Sequence, residues 1–326
     1  MTLKLTIKSI LKTVLPLLLG GVLVWYSLQK ISFETLVQYF KNANYNWVIC
    51  GVILGVLSHI SRAYRWKYMI SPMGYSLRLP NSIMAVFSAY LINYTIPRAG
   101  EVSRATIVAN YEGIPFEKGF GTIISERIAD ILVMLCIITI ALILEYDLIF
   151  KVLFQNVNPK QQFFWLIVAA AVLLVLFLAV ARSQHPIFAK IRTFFLGIIE
   201  GASSIFKMKH KRAFIAHTIF IWAMYVLMFY VTALSIDQTS ELPFSAILIA
   251  FIAASFSIAA TNGGIGSYPI AVYAALALFD IPEAPSLAFG WIMWTSQTFM
   301  IIILGGIALI MLPIYNSFYS KNSTKN

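Results

Sequence analysis

Arg98, Glu101 and Arg104 follow Pro97 at intervals of three, which puts two guanidiniums and a carboxylate on one face of a helix. A proline at the start of that helix, with free N–H groups behind it, makes a helix N-terminus suited to a phosphate or carboxylate. The competing reading is an internal Arg98–Glu101–Arg104 network that only braces the chain. A second group, Glu126, Arg127 and Asp130, lies inside an apolar run from 119 to 144. At 1.5 Å per residue Asp130 sits roughly 16 Å into that run. An acid there can carry a coupling proton or answer Arg98 or Arg104 across a helix interface; structural pairing is its plainer role. The third group runs from Asn262 through Gly263, Gly264 and Gly266 to Pro269. Its backbone can offer an N–H nest to an anion or carbonyls to a cation, or can be a tight turn. It is no P-loop, because the Lys-Ser or Lys-Thr that should follow the glycines is absent. Arg62, Arg65 and Trp66, with His59, Tyr64 and Lys67, form a basic-aromatic belt of the kind that anchors a helix among headgroups. Thr295 to Thr298 and His217 read as packing groups.

These charges matter because of the chain that carries them. It has 326 residues, of which 60% are hydrophobic and 11% charged, whereas soluble domains carry about 25% charge. That composition excludes a water-soluble fold. The net charge of +11 places the few Lys and Arg in cytoplasmic loops and near lipid headgroups rather than on nucleic acid. Cys50 and Cys136 fall in apolar runs as small buried hydrophobes. No metal or cofactor motif stands out, and no set of residues reads as catalytic. Asp130, Asp147, Asp237 and Asp280 never fall two apart, so an Asp-x-Asp is missing, and there is no His-x4-Asp.

A crossing helix needs about 20 mostly apolar residues. Six stretches meet that test, about 11–29, 44–62, 119–144, 163–181, 213–234 and 286–312. The first follows Lys4, Lys8 and Lys12 without a small-x-small cleavage site, so it reads as a retained span. Two further apolar stretches, 79–112 and 243–280, are interrupted at Asn93 to Gly100 and at Thr261 to Pro269, where Gly frees the backbone and Pro removes a donor. Unpaired backbone cannot face lipid, so both are expected to be hairpins that enter and return, their breaks buried in protein or lining a wet cavity. With the N-terminus inside, only Lys30, Lys41, Lys151 and Lys160 of the 24 Lys and Arg fall on the outer side, while Arg98, Arg104 and Arg127 lie in apolar regions. That bias predicts cytoplasmic N- and C-termini. Apolar residues at helical spacing over 186–206 predict an amphipathic helix on the inner leaflet. The expected fold is a single all-α integral membrane domain over 1–326, six full spans plus two broken hairpins entering from opposite faces as an inverted repeat.

Four motifs in order, Arg62-Ala63-Tyr64-Arg65-Trp66, Asn93 to Pro97 running into Arg98-Ala99-Gly100-Glu101, Glu126 to Asp130, and Gly263 to Gly266 with Pro269, resemble the lysylphosphatidylglycerol synthase transmembrane-region family, from about residue 10 to 312. This is the family of the flippase part of the multiple peptide resistance factor. The resemblance implies a bacterial inner-membrane protein that moves an aminoacylated or related phospholipid between leaflets. In that reading Arg98 and Arg104 meet the lipid phosphate, and Glu101, Glu126 or Asp130 a cationic aminoacyl group or a proton. The full-length factor adds a soluble transferase domain, so synthesis of the lysyl-lipid is not expected of this chain alone. Two other classes compete: an interfacial transferase acting on a lipid-linked substrate, and a membrane scaffold for a separate lipid synthase.

Overall fold

The computed structural model describes residues 7–96, 99–148 and 208–323, with scattered positions between 164 and 192. The expected span at 163–181 falls for the most part outside the described residues, as does the amphipathic helix at 186–206. By contact, residues 1–126 and 212–326 form one compact unit and 127–211 another.

All regular structure among the described residues is helical. Helix α1 (Ile7–Lys30) leads into α2 (Phe33–Asn42), a helix that the expected spans do not include. Ser32 caps α2 by accepting from the Thr35 N–H at 3.1 Å, satisfying one of the donors a helix start leaves open. Asn44 caps α3 (Tyr45–Ile70) in the same way, through the Asn46 N–H at 3.1 Å. The order continues with α4 (Leu79–Thr95), α5 (Ala99–Glu112), α6 (Phe116–Leu144), α7 (Lys211–Ala233), α8 (Phe244–Ala260), α9 (Ser267–Leu276) and α10 (Glu283–Ser323). Four helical stretches among the described residues are long and apolar enough to cross a membrane: Tyr45–Met73, Phe116–Leu144, Lys211–Ala233 and Glu283–Tyr319. Helices α4, α5, α8 and α9, of 17, 14, 17 and 10 residues, are each shorter than that.

The short helices pack in pairs, α4 on α5 and α8 on α9, and α10 packs against both pairs. Gly305 sets the distance on the α4 side. A Cβ added there would lie 2.6 Å from Leu91 Cβ and 2.9 Å from the Phe87 carbonyl, so only glycine lets the helices approach this closely. One end of the bundle is tied by Arg78. Its Nε donates to Glu112 Oε1 and Oε2 at 3.0 and 3.1 Å, and its Nη2 donates to the Asn316 side chain at 3.0 Å. Its guanidinium also lies 4.0 Å from the Tyr319 ring centroid. At the other end of α10, Glu283 pairs with Lys30 of α1 at 2.7 Å. The outward surface is strongly apolar, with Phe256, Phe299, Ile310 and Ile219 among its exposed residues, as expected of helices surrounded by hydrocarbon rather than water.

Gly305→Ala is expected to lower stability by about 1–3 kcal/mol through overpacking against α4. Gly306→Ala, where an added Cβ meets nothing within 4 Å, is expected to leave stability unchanged or raise it by up to ~1 kcal/mol through helix propensity. Thermal unfolding in detergent micelles checks the pair, and equal shifts would refute the packing role of Gly305.

Candidate functional site

The apolar run containing α3 ends near residue 62, but the helix continues to Ile70, so Arg62, Arg65 and Trp66 stay in register and turn into the protein. Their exposures are 2%, 0% and 0%, and those of Arg104 and Glu126 are 3% and 0%. Glu126 of α6 is the common acceptor. Its Oε1 takes hydrogen bonds or ion pairs from Arg62 Nη1 and, at 3.2 Å, from Arg65 Nη2; its Oε2 accepts from Arg104 Nη2 at 3.0 Å. The guanidiniums are themselves held. Arg65 Nη1 donates to Thr218 Oγ1 at 2.8 Å and the group lies 5.3 Å from the Phe214 ring centroid. Arg104 sits 3.9 Å from the Trp66 ring centroid, and the Trp66 Nε1–H is fixed by Thr122 Oγ1 at 2.7 Å. A planar, weakly hydrated cation can stack and hydrogen-bond at once, which lysine cannot. The structure thus places Arg62, Arg65 and Trp66, expected at the headgroups, within a buried charged centre. The carboxylate that answers Arg104 is Glu126, where the sequence reading considered Asp130.

A second centre forms where the two helix breaks meet. The Asn262 side chain, 4% exposed, donates from Nδ2 to the Tyr94 carbonyl at 3.1 Å. Trp294 of α10 donates from Nε1 to the Gly263 carbonyl at 2.8 Å, and the Tyr94 hydroxyl shares a 3.1 Å hydrogen bond with Thr298. Asn93 Oδ1 accepts from the Gly100 N–H at 2.7 Å, closing the first break on itself. Gly263, Gly264 and Gly266 all have positive φ, at 64°, 76° and 70°. An added Cβ on Gly263 would come within 2.7 Å of the Tyr94 ring, so this loop needs glycine for both its turn and its contact.

Polar groups lead from one centre to the other. Arg62 Nη2 lies 3.5 Å from the Tyr225 hydroxyl, which lies 3.5 Å from that of Tyr90, both at the long limit of hydrogen bonding. The His59 ring stacks at a tilt on Tyr90, with centroids 4.4 Å apart, and Tyr90 is one turn before Tyr94 on α4. Glu101, half-buried, is one turn before Arg104 on α5. Arg127 and Asp130 belong to the other unit, where Arg127 Nη1 lies 3.8 Å from Asp130 Oδ2. Arg98 lies outside the described residues. Tyr90, Tyr94, Tyr225 and Trp294 were not singled out from sequence. The available signal was spacing, since Tyr90 and Tyr94 on α4 and Trp294 and Thr298 on α10 are i, i+4 pairs beside the breaks. Among the described residues no group of three His, Cys, Asp or Glu is placed to hold a metal ion.

Residues 13–306 match the family described as the lysylphosphatidylglycerol synthase TM region. The chain belongs to that family. It is a multi-pass membrane protein, and both centres lie inside the matched region. It is also similar to UPF0104 membrane protein MJ1595 of Methanocaldococcus jannaschii, with 28% identity over 130 residues. That match spans 39% of this chain and 39% of the relative's length.

Glu126→Gln removes the negative charge that three guanidiniums share. Glu126→Gln is therefore expected to destabilise the protein by about 3–5 kcal/mol, the usual result of breaking a buried ion pair from one side. Arg104→Ala, which leaves Glu126 with two cations, is expected to destabilise it less. Thermal melts of the two variants decide this, and the reverse order would refute the central place of Glu126.

Proposed function

We propose that the protein carries a phospholipid, aminoacylated or of related type, between the leaflets of a bacterial inner membrane. The observation that carries the reading is the meeting of the two breaks, with Asn262 on the Tyr94 carbonyl. Broken helices whose freed backbone comes together in the interior are a recurring way to build a midplane site in transporters. In this reading the helix pairs 79–112 and 243–280 are re-entrant hairpins that, with six full spans, form an inverted repeat, and both termini are cytoplasmic. A lipid headgroup passes between the centre around Glu126 and the crossing of the breaks, along Tyr225 and Tyr90. Arg104, and Arg98 six residues before it in sequence, take the phosphate. Glu101, Glu126 or Asp130, the last paired with Arg127, takes a cationic aminoacyl group or a proton. Asn93, Asn262 and the backbone of Gly263, Gly264 and Gly266 line the crossing. Arg62 and Arg65 hold Glu126 in place while Arg104 is released to the ligand, so the charged centre works by exchange of one anion for another. Family membership supports the lipid as cargo.

Leaflet exchange of fluorescent lysyl-phosphatidylglycerol and of plain phosphatidylglycerol in reconstituted vesicles tests the reading. Exchange is expected to exceed that of protein-free vesicles and to fall about tenfold or more in Arg104→Ala, because a hydrogen bond to a charged group is worth ~1.5–3 kcal/mol. Folded Arg104→Ala protein with wild-type exchange would remove Arg104 from the pathway. No exchange of either lipid by the wild type would sink the transport of these lipids.

A further inference from the structure

Apart from the two polar centres, the described residues enclose a groove of about 720 Å³ between α3 and α10. Val48, Val52 and Val56 form one wall, and Ile292, Phe299 and Ile303 form the other. The residues on each helix recur at intervals of three, four or seven, so each wall is one helix face. Phe40 of α2 and Tyr45 line its end nearest α2. The only polar side chains in the lining besides Tyr45 are Thr295 and Ser296, and the Ser296 hydroxyl already donates to the Met293 carbonyl at 3.0 Å.

We infer that this groove holds one acyl chain of a phospholipid in the leaflet on the Tyr45 side, the side away from the arginines. This deepens the lipid-transport reading and rests on it. Four observations select an acyl chain. The lining from Tyr45 to Val56 is about 16 Å long at 1.5 Å per residue, close to half of a ~30 Å hydrocarbon core. A partner helix would need small residues for close approach. Here the small residues of α3 are already used inside the chain: a Cβ on Gly55 would lie 2.6 Å from Gln297 Oε1, and Gly51 faces Thr232 and Met228. Lys41, exposed and following Phe40 on α2, supplies a cation on the same short helix that reaches the Tyr45 end of the groove. Finally, the inner wall is continuous with the crossing of the breaks. Val52, Val56, Met300 and Leu304 line the groove and also pack in the cluster that contains Phe87, Tyr90 and Tyr94. A chain seated in this groove touches protein on several sides, whereas one on an open helix face touches it on one, and contacts of this kind add up.

Photo-crosslinking tests the inference. Full-length protein is reconstituted in vesicles of phosphatidylethanolamine and phosphatidylglycerol, with a trace of phosphatidylglycerol bearing a diazirine on one acyl chain. Labelling of Val48–Val56 and Phe299–Ile303 is expected to exceed that of the exposed positions Ile219 and Ile258 several-fold and to fall when unlabelled phosphatidylglycerol is added. Val52→Phe, which fills the groove, is expected to abolish the excess; Ile53→Phe, one residue away on the exposed face of the same helix, is expected to keep it. Label no greater than at Ile219, or excess label that survives Val52→Phe, would overturn the site. Leaflet exchange is read on the same vesicles. Exchange without groove label removes the groove and leaves transport standing, and groove label without exchange keeps the acyl site and removes transport.

Discussion

Backbone N–H and C=O groups released by a helix break must find partners, and in a hydrocarbon interior water is not there to supply them. This constraint organises the protein. At the first break the Gly100 N–H goes to Asn93 and the Tyr94 carbonyl to Asn262; at the second, the Gly263 carbonyl goes to Trp294. Neither break is satisfied by its own segment alone. The first borrows a side chain from the second, and the second borrows one from α10. The breaks are therefore held against each other and against α10 by the same hydrogen bonds that make them tolerable, and the glycines at 263, 264 and 266 follow from the shape this requires.

The charged centre answers a different cost. A buried carboxylate loses its hydration, and three guanidiniums at Glu126 offset that loss, two of them further oriented, Arg65 by Thr218 and Phe214 and Arg104 by Trp66. An apolar replacement of the same volume would often be as stable or more so. Stability alone therefore gives no reason for this arrangement. In the transport proposed above, a centre in which one acid holds three bases, with one of the bases on the helix that begins at the first break, exchanges partners. Trp66 gives Arg104 a face to rest on whether or not the carboxylate is engaged.

The interruptions themselves were legible in sequence, because Pro97 and the glycines after Asn262 act on local backbone geometry. Helix α4 stops at Thr95 and α8 at Ala260. The partner of each polar residue was much less legible. Arg62, Arg65 and Trp66 stand where an apolar run ends, and hydropathy treats such a place as the membrane surface. Their acceptors lie far along the chain on α6, Glu126 for the two arginines and Thr122 for Trp66, and only tertiary packing puts them there. The same limit applies to Arg78, whose partners Glu112 and Asn316 come from α5 and α10, and to Tyr94, which reads as one more aromatic in an apolar stretch. Helix α2 was missed for a simpler reason. Ten residues are too few to cross a membrane, so hydropathy does not mark it, although Ser32 caps it.

Helix α10 connects these features. It packs on both short-helix pairs, donates Trp294 and Thr298 to the crossing, forms one wall of the groove, and is fastened near its two ends by Glu283 to Lys30 and by Asn316 to Arg78. Any movement that parts the breaks must loosen the Trp294 or the Tyr94 contacts, and both lie within two turns of the groove-lining Thr295, Ser296 and Phe299. The fastenings at its ends differ in kind. Lys30–Glu283 is a half-exposed ion pair of the sort that contributes little and is screened by salt, whereas Arg78 is bound to a carboxylate, an amide and an aromatic face together. The end at Glu283 is therefore the easier to release.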